Sequence, residues 1–226
     1  MDGHDQIASA TVPDGALLRL VQRGDAFTIL LDRTELMSTR ASGSEEALAT
    51  MTCDRLRGRP APDLLVGGYG MGYTLRAALA VLDVDASVTV AELVPEVIDW
   101  ARGPMAALTA GCLDDPRVTL VGDDVAMLID AARDGYDAIL LDVDNGPEGL
   151  TRRINDHLYT AQGLDAARAA LKPGGVLAVW SAFPDPAFAR RLADAGFAVT
   201  ETPVSEGGDD EEALHMIWFA QRPDKI

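Results

Sequence analysis

Residues 64–75, Leu64-Leu65-Val66-Gly67-Gly68-Tyr69-Gly70-Met71-Gly72-Tyr73-Thr74-Leu75, constrain the fold more than any other stretch. Three apolar residues predict a buried parallel strand, four glycines within six positions a tight turn, and residues 74–79 a helix that begins at once. Glycine suits such a turn because a ligand can approach backbone only where no Cβ intervenes, and because the turn can demand positive φ. The helix behind it offers free N–H groups and the positive end of its dipole. A merely structural strand-to-helix turn would look the same, and Glu92 weighs against it. Glu92 closes the next apolar run, Val88-Thr89-Val90-Ala91, twenty residues after Gly72. An acid at the tip of a second strand is placed to take ribose hydroxyls. The glycine spacing is G-x-G-x-G preceded by Gly67; the dinucleotide fingerprint fails because the sixth position from Gly68 is Tyr73.

The chain has 226 residues, enough for one α/β domain with a small appendage, and 48% of them are hydrophobic, which excludes disorder throughout. A net charge of minus 17 argues against a phosphate backbone as partner. It suits a cationic substrate, or simply a well-solvated acidic surface. The start, Met1-Asp2-Gly3-His4-Asp5, is acidic and unlike a signal peptide, and no window of about twenty apolar residues exists. The expectation is a cytoplasmic protein that engages neither nucleic acid nor membrane. Cys53 and Cys112 lack metal spacing and are expected as buried thiols.

Taken in order, residues 1–13 carry little pattern and read as a loose tail. Apolar clusters at 16–20 and 27–31 flank Arg23-Gly24-Asp25 and predict a short β-hairpin. Ser44-Glu45-Glu46 opens a helix whose Leu48 and Met51 face should pack on a sheet. Beyond Arg59-Pro60-Ala61-Pro62, strands at 64–66, 87–92, 118–121, 138–141 and 176–180 alternate with helices, the last of these strands following the breaker Lys172-Pro173-Gly174-Gly175. A helix at 186–195, a strand at 197–200, an acidic loop at 206–212 and a strand at 214–220 finish the chain. This predicts an α/β fold, a Rossmann-like doubly wound, mostly parallel seven-stranded sheet ending in an antiparallel pair. Two units follow, residues 1–60 with tail, hairpin and helix, and residues 61–226 as the nucleoside-binding domain.

In a doubly wound sheet the ligand sits at the carboxyl ends of the strands. The candidates there are Gly67, Gly68, Tyr69, Gly70 and Gly72, Glu92 with Leu93, Asp123 with its neighbour Asp124, Asp142 with Asp144, and Ser181. Acids at strand ends also serve ordinary turn chemistry. His157 and Tyr159 could line an acceptor pocket, although surface placement suits His157 equally; Trp180 and Trp218 lie within strands and read as core.

The glycine stretch, the following Ala91-Glu92-Leu93-Val94-Pro95-Glu96-Val97-Ile98 and the strand-four end resemble the class I S-adenosylmethionine-dependent methyltransferase fold and, more narrowly, the spermidine synthase group. The resemblance covers residues 16–196. It implies S-adenosylmethionine or its decarboxylated form as donor, Glu92 on the ribose, Asp123 at the adenine amino group, and Asp142 as the first acid of the family's D-[ST]-x-D-P motif. In that motif the acid positions and deprotonates the attacking amine, which is nucleophilic only when neutral. The acceptor implied is a small amine, polyamines included, and analogy with dimeric relatives suggests a homodimer.

Several positions depart from the family pattern. Asp144 falls one place before the family's second acid, and Gly146 precedes Pro147. Tyr69 and Met71 stand where the family carries an acid after its glycines, as in G-G-G-D-G. Glu35-Leu36-Met37-Ser38 stands where the family has a glutamine, and only Glu45 or Glu46 answers to the acid of its next helix. A metal site is not expected, because Ser181-Ala182-Phe183 supplies no hard ligands. Aminopropyl transfer, methyl transfer without polyamine activity, and nucleoside binding without catalysis all remain open at this level.

Overall fold

A computed structural model describes residues 5–13, 15–143, 155–205 and 214–224. The chain opens with a four-stranded antiparallel sheet of β1 (Asp5–Thr11), β2 (Leu17–Arg23), β3 (Ala26–Leu31) and β4 (Thr34–Ser38), in that order. The expected hairpin is its centre, closed by Gly24-Asp25 with Arg23 opposite Ala26 and Leu20 opposite Ile29. The expected loose tail is corrected, because residues 5–11 pair with β2. Ala10 and Val12 are buried, yet the inward face of β1 is made of alanines, so its alternation is faint in the sequence.

Helix α1 (Gly43–Arg55) begins earlier than expected, with Ser42 rather than Ser44 at the cap position. Ser44 lies inside the helix, buried, and its Oγ donates to Glu45 Oε2 at 2.8 Å. Leu48 is fully buried, as the expected apolar face requires.

The second sheet contains β5 (Asp63–Gly67), β6 (Ser87–Ala91), β7 (Val118–Val121), β8 (Tyr136–Leu141), β9 (Leu171–Ser181), β10 (Ala198–Ser205) and β11 (Leu214–Gln221). Its order is β10-β11-β9-β8-β5-β6-β7, parallel from β7 to β9 and antiparallel for β11 and β10. Helices α2 (Tyr73–Val81), α3 (Pro95–Arg102), the short α4 (Ala106–Thr109), α5 (Val125–Ala131), α6 (Ala161–Ala170) and α7 (Pro186–Asp194) supply the crossovers and cover. Leu64, Val66, Val88, Val90 and Leu140 face one core with α1 to α3 and the first sheet; Leu65, Ile139, Leu141 and Leu177 face the other with α5 to α7. Burial on both faces is why the parallel strands read as unbroken apolar runs. Trp218 is fully buried and Trp180 stacks on His215.

Helix α6 ends at Ala170, at the expected breaker, but Lys172-Pro173-Gly174-Gly175 does not precede the next strand. It forms a bulge inside β9, where the pairing slips from Tyr136↔Leu171 to Ala138↔Val176. Partners distant in sequence hold it: Arg59 Nη2 donates to Pro173 O at 2.9 Å, and Lys172 Nζ reaches both Asp63 and Asp137. Among the described residues no helix is long and apolar enough to cross a membrane.

Candidate nucleoside site at the switch point

Strand β5 has β6 on one side and β8 on the other, so successive crossovers diverge at its carboxyl end. A crevice is expected there. It is present, with about 760 Å³ of empty space including its open mouth, lined on one side by Gly68, Gly70, Glu92, Leu93, Asp123, Asp124 and Asp142.

The glycines explain the crevice. Gly68, Gly70 and Gly72 have φ of +83°, +54° and +80°. A Cβ on Gly68 would lie 2.5 Å from the Asp142 carbonyl oxygen, and one on Gly72 2.6 Å from the Tyr69 hydroxyl. Gly70 leaves a hollow filled from above by Met37, whose Cε would be 2.6 Å from an added Cβ. The loop is thus moulded by three neighbours: β8, its own Tyr69, and the first sheet. Tyr69 points away from the crevice, with its hydroxyl 3.6 Å from Cys112 Sγ in the core. Burial, and next the contact with Cys112, push the Tyr69 hydroxyl well above the usual phenol range. Met71 is equally buried. Neither of these side chains, nor Gly67 or Gly72, lines the crevice.

Glu92 is buried, and both carboxylate oxygens are engaged: Tyr69 N–H donates to Oε2 at 3.0 Å and Val94 N–H to Oε1 at 2.8 Å. The acid therefore ties the glycine loop to the turn beyond β6 and is rigid before any ligand arrives. Each carboxylate oxygen has further acceptor capacity for a diol. Beyond β7, Asp124 caps α5 by accepting from Ala126 N–H at 2.9 Å. Asp123 is exposed at the crevice rim and accepts from Asp124 N–H at 2.8 Å. Asp124 thus has a structural duty, which leaves Asp123 as the better-presented carboxylate.

At the end of β8, Asp142 is half-buried, and its Oδ2 accepts from Thr74 Oγ1 at 2.9 Å. Its neighbours Val143 and Asn155 also line the crevice. Asp144 and the acidic loop at 206–212 lie outside the described residues. The opposite wall is apolar and belongs to the first sheet: Leu18, Ile29, Leu36 and Met37.

Sequence reasoning missed that wall, together with Thr74, Val143 and Asn155. The alternating pattern of β2 to β4 signals an inward face but not the crevice it would cover. Of the other candidates, Ser181 closes its own turn by donating to Phe183 O at 2.8 Å. Tyr159 packs edge-on against Phe188, and His157 is exposed. Among the described residues no group of three or more His, Cys, Asp or Glu is arranged to hold a metal.

A family model described as the spermine/spermidine synthase domain matches residues 48–185. Among curated relatives, polyamine aminopropyltransferase 2 of Pseudomonas aeruginosa is 34% identical over 121 residues, which is 52% of this chain and 32% of that protein. The polyamine aminopropyltransferase of Mycobacterium tuberculosis (strain H37Rv) is 31% identical over 192 residues, 80% of this chain and 35% of that one. The chain thus spans about a third of the length of these relatives. Among solved structures, spermidine synthase from Thermotoga maritima superimposes with a TM-score of 0.77 at 22% identity, covering 97% of this chain and 74% of that one. A spermidine synthase in complex with the transition-state analogue AdoDATO gives 0.76 at 22% identity, covering 97% and 73%. Both likenesses are of fold.

Proposed function

This chain belongs to the spermine/spermidine synthase family, and we propose that it is a transferase that moves an aminopropyl group from decarboxylated S-adenosylmethionine to a small amine of the polyamine class. The observation that carries the reading is the pairing of two carboxylates across one crevice: Glu92, held by two backbone N–H groups, and Asp142 at the end of β8. In this reading Glu92 takes the ribose hydroxyls, Leu93 and Val125 flank the adenine, and Asp123 accepts from its amino group. Residues 61–226 bind the nucleoside, and residues 1–60 supply the wall above it.

The acceptor nitrogen attacks the aminopropyl carbon bonded to the sulfonium. The carbon–sulfur bond breaks, its electron pair stays on sulfur, and methylthioadenosine leaves. The proton lost by the nitrogen goes to Asp142. A carboxylate is a sufficient base, because the amine becomes strongly acidic only as the new bond forms. Asp144 is the second acid of this proposal, holding the acceptor. The donor's own ammonium finds no acid in the glycine loop, where Tyr69 and Met71 are turned into the core.

The test is turnover of the purified chain. Decarboxylated S-adenosylmethionine with putrescine should release methylthioadenosine, and Asp142→Asn should reduce the rate at least about a hundred-fold, as loss of a general base does. Formation of S-adenosylhomocysteine from the carboxylated donor, with no reaction of the decarboxylated one, would replace the proposal by methyl transfer.

A further inference from the structure

Thr74 stands in the first turn of α2, directly behind the glycine loop, and is 3% exposed. A buried hydroxyl needs a hydrogen-bond partner, and Thr74 Oγ1 has two acceptors in reach: Asp142 Oδ2 at 2.9 Å and the Glu45 carbonyl oxygen at 3.4 Å. It carries one proton. The nearer acceptor forms the shorter and better bond, so the proton points to Asp142 and the Glu45 carbonyl is the weaker alternative.

We propose that Thr74 is a positioning residue for Asp142: its bond to Oδ2 holds the carboxylate in the orientation in which it receives the acceptor's proton. The inference rests on the aminopropyl-transfer reading given above. In the transfer step the acceptor's N–H bond breaks, an O–H bond forms on the Asp142 carboxylate, and the Thr74 bond to Oδ2 persists throughout. The carboxylate therefore does not rotate between its two states. Asp142 follows β8 with its backbone held by its N–H bond to Gly67 O at 3.1 Å, and the Thr74 bond restrains its side-chain torsion.

The bond has an electrostatic effect as well. Among the described residues the acids Glu92, Asp123 and Asp124 line the crevice together with Asp142. Each disfavours a further negative charge, whereas a hydrogen bond donated to the ionised form favours it. Thr74 opposes the surrounding acids and helps keep Asp142 ionised and ready to accept a proton.

Thr74→Val keeps the shape and removes the hydroxyl; Thr74→Ser keeps the hydroxyl and removes the methyl. Carbon-13 NMR of carboxyl-labelled aspartate, with the Asp142 signal assigned by its loss in Asp142→Asn, follows this group in protein without ligand. The Asp142 midpoint should rise in Thr74→Val and return toward the parent value in Thr74→Ser. In turnover, kcat of Thr74→Val should fall roughly ten- to a hundred-fold, as for a lost hydrogen bond to a charged group, with donor KM within about two-fold and the acidic limb of the pH profile displaced upward. An Asp142 midpoint equal in parent and Thr74→Val would overturn the proposal. If Thr74→Val does not fold, Thr74→Ala makes the same comparison. A parent that turns over no donor, with the Asp142 midpoint still raised in Thr74→Val, would refute the reaction assigned above while upholding the role of Thr74.

Discussion

Replacing Gly68 by alanine adds one methyl group at the point where the glycine loop crosses the end of β8. Gly68 has φ of +83°, a conformation that costs an L side chain about 1–2 kcal/mol. The new Cβ would also lie 2.5 Å from Asp142 O and 3.3 Å from Val143 Cγ1. The carbonyl cannot swing aside, because the Asp142 N–H is bonded to Gly67 O at 3.1 Å and the two strands are paired up to that residue. Forcing an extra methyl into such packing costs a further ~1–3 kcal/mol. The sum is about 2–5 kcal/mol, or a fall in melting temperature of roughly 4–20 °C for a chain of this size. Gly58 provides the matched control: its φ is +87° and a Cβ there meets nothing within 4 Å. Gly58→Ala should show the conformational cost alone, about 1–2 kcal/mol. Thermal denaturation of both variants, followed by nucleoside titration, separates strain from collision. Equal melting temperatures together with undiminished nucleoside binding in Gly68→Ala would refute the geometry assigned to the loop.

Other expectations follow from the charged and buried groups. Burial works against ionised Asp137, yet hydrogen bonds from Lys172, from Asp63 N–H and from Arg59 outweigh it and hold the acid below the ordinary carboxylate range. An acid depressed on folding stabilises above its unfolded pKa of about 4, and that contribution is lost as pH falls through the folded value. Asp137→Asn should therefore cost about 2–4 kcal/mol in urea denaturation at neutral pH, with the gap to the parent narrowing as the pH falls below about 4 and through the folded value. Glu92→Gln replaces one acceptor oxygen by an NH2 group facing a backbone N–H, so it should cost about 1–3 kcal/mol of stability as well as weaken nucleoside binding, both measurable on one preparation. Burial raises the Cys53 thiol to about 11 and also raises Cys112. Neither should react with a disulfide reagent at pH 8 until the protein unfolds; rapid labelling of the native chain would contradict that.

Much of this architecture is written locally. Strands β5 and β8 are legible because both faces of each are buried, β6 and β7 because their residues are nearly all apolar or β-branched, and Glu92 because it follows β6 at the distance expected of an acid in a nucleotide site. Features held by distant partners are not. Strand β1 hides behind its alanines, and the bulge at residues 172–175 looks like a terminator until Arg59 and Lys172 are seen bonded across it. The Thr74–Asp142 bond joins residues 68 apart, and Met37 enters the hollow of Gly70 from a different sheet. No periodicity reports either meeting. The residues that shape the crevice chemically were therefore readable, and those that aim or cover them were not.

Calorimetric titration of the purified chain with S-adenosylmethionine, decarboxylated S-adenosylmethionine and methylthioadenosine in parallel tests the central claim most directly. The account predicts that all three compete for one site and that the decarboxylated donor binds more tightly than the carboxylated one. Binding of none of them would contradict the crevice as a nucleoside site, and tightest binding of the carboxylated donor would contradict aminopropyl transfer.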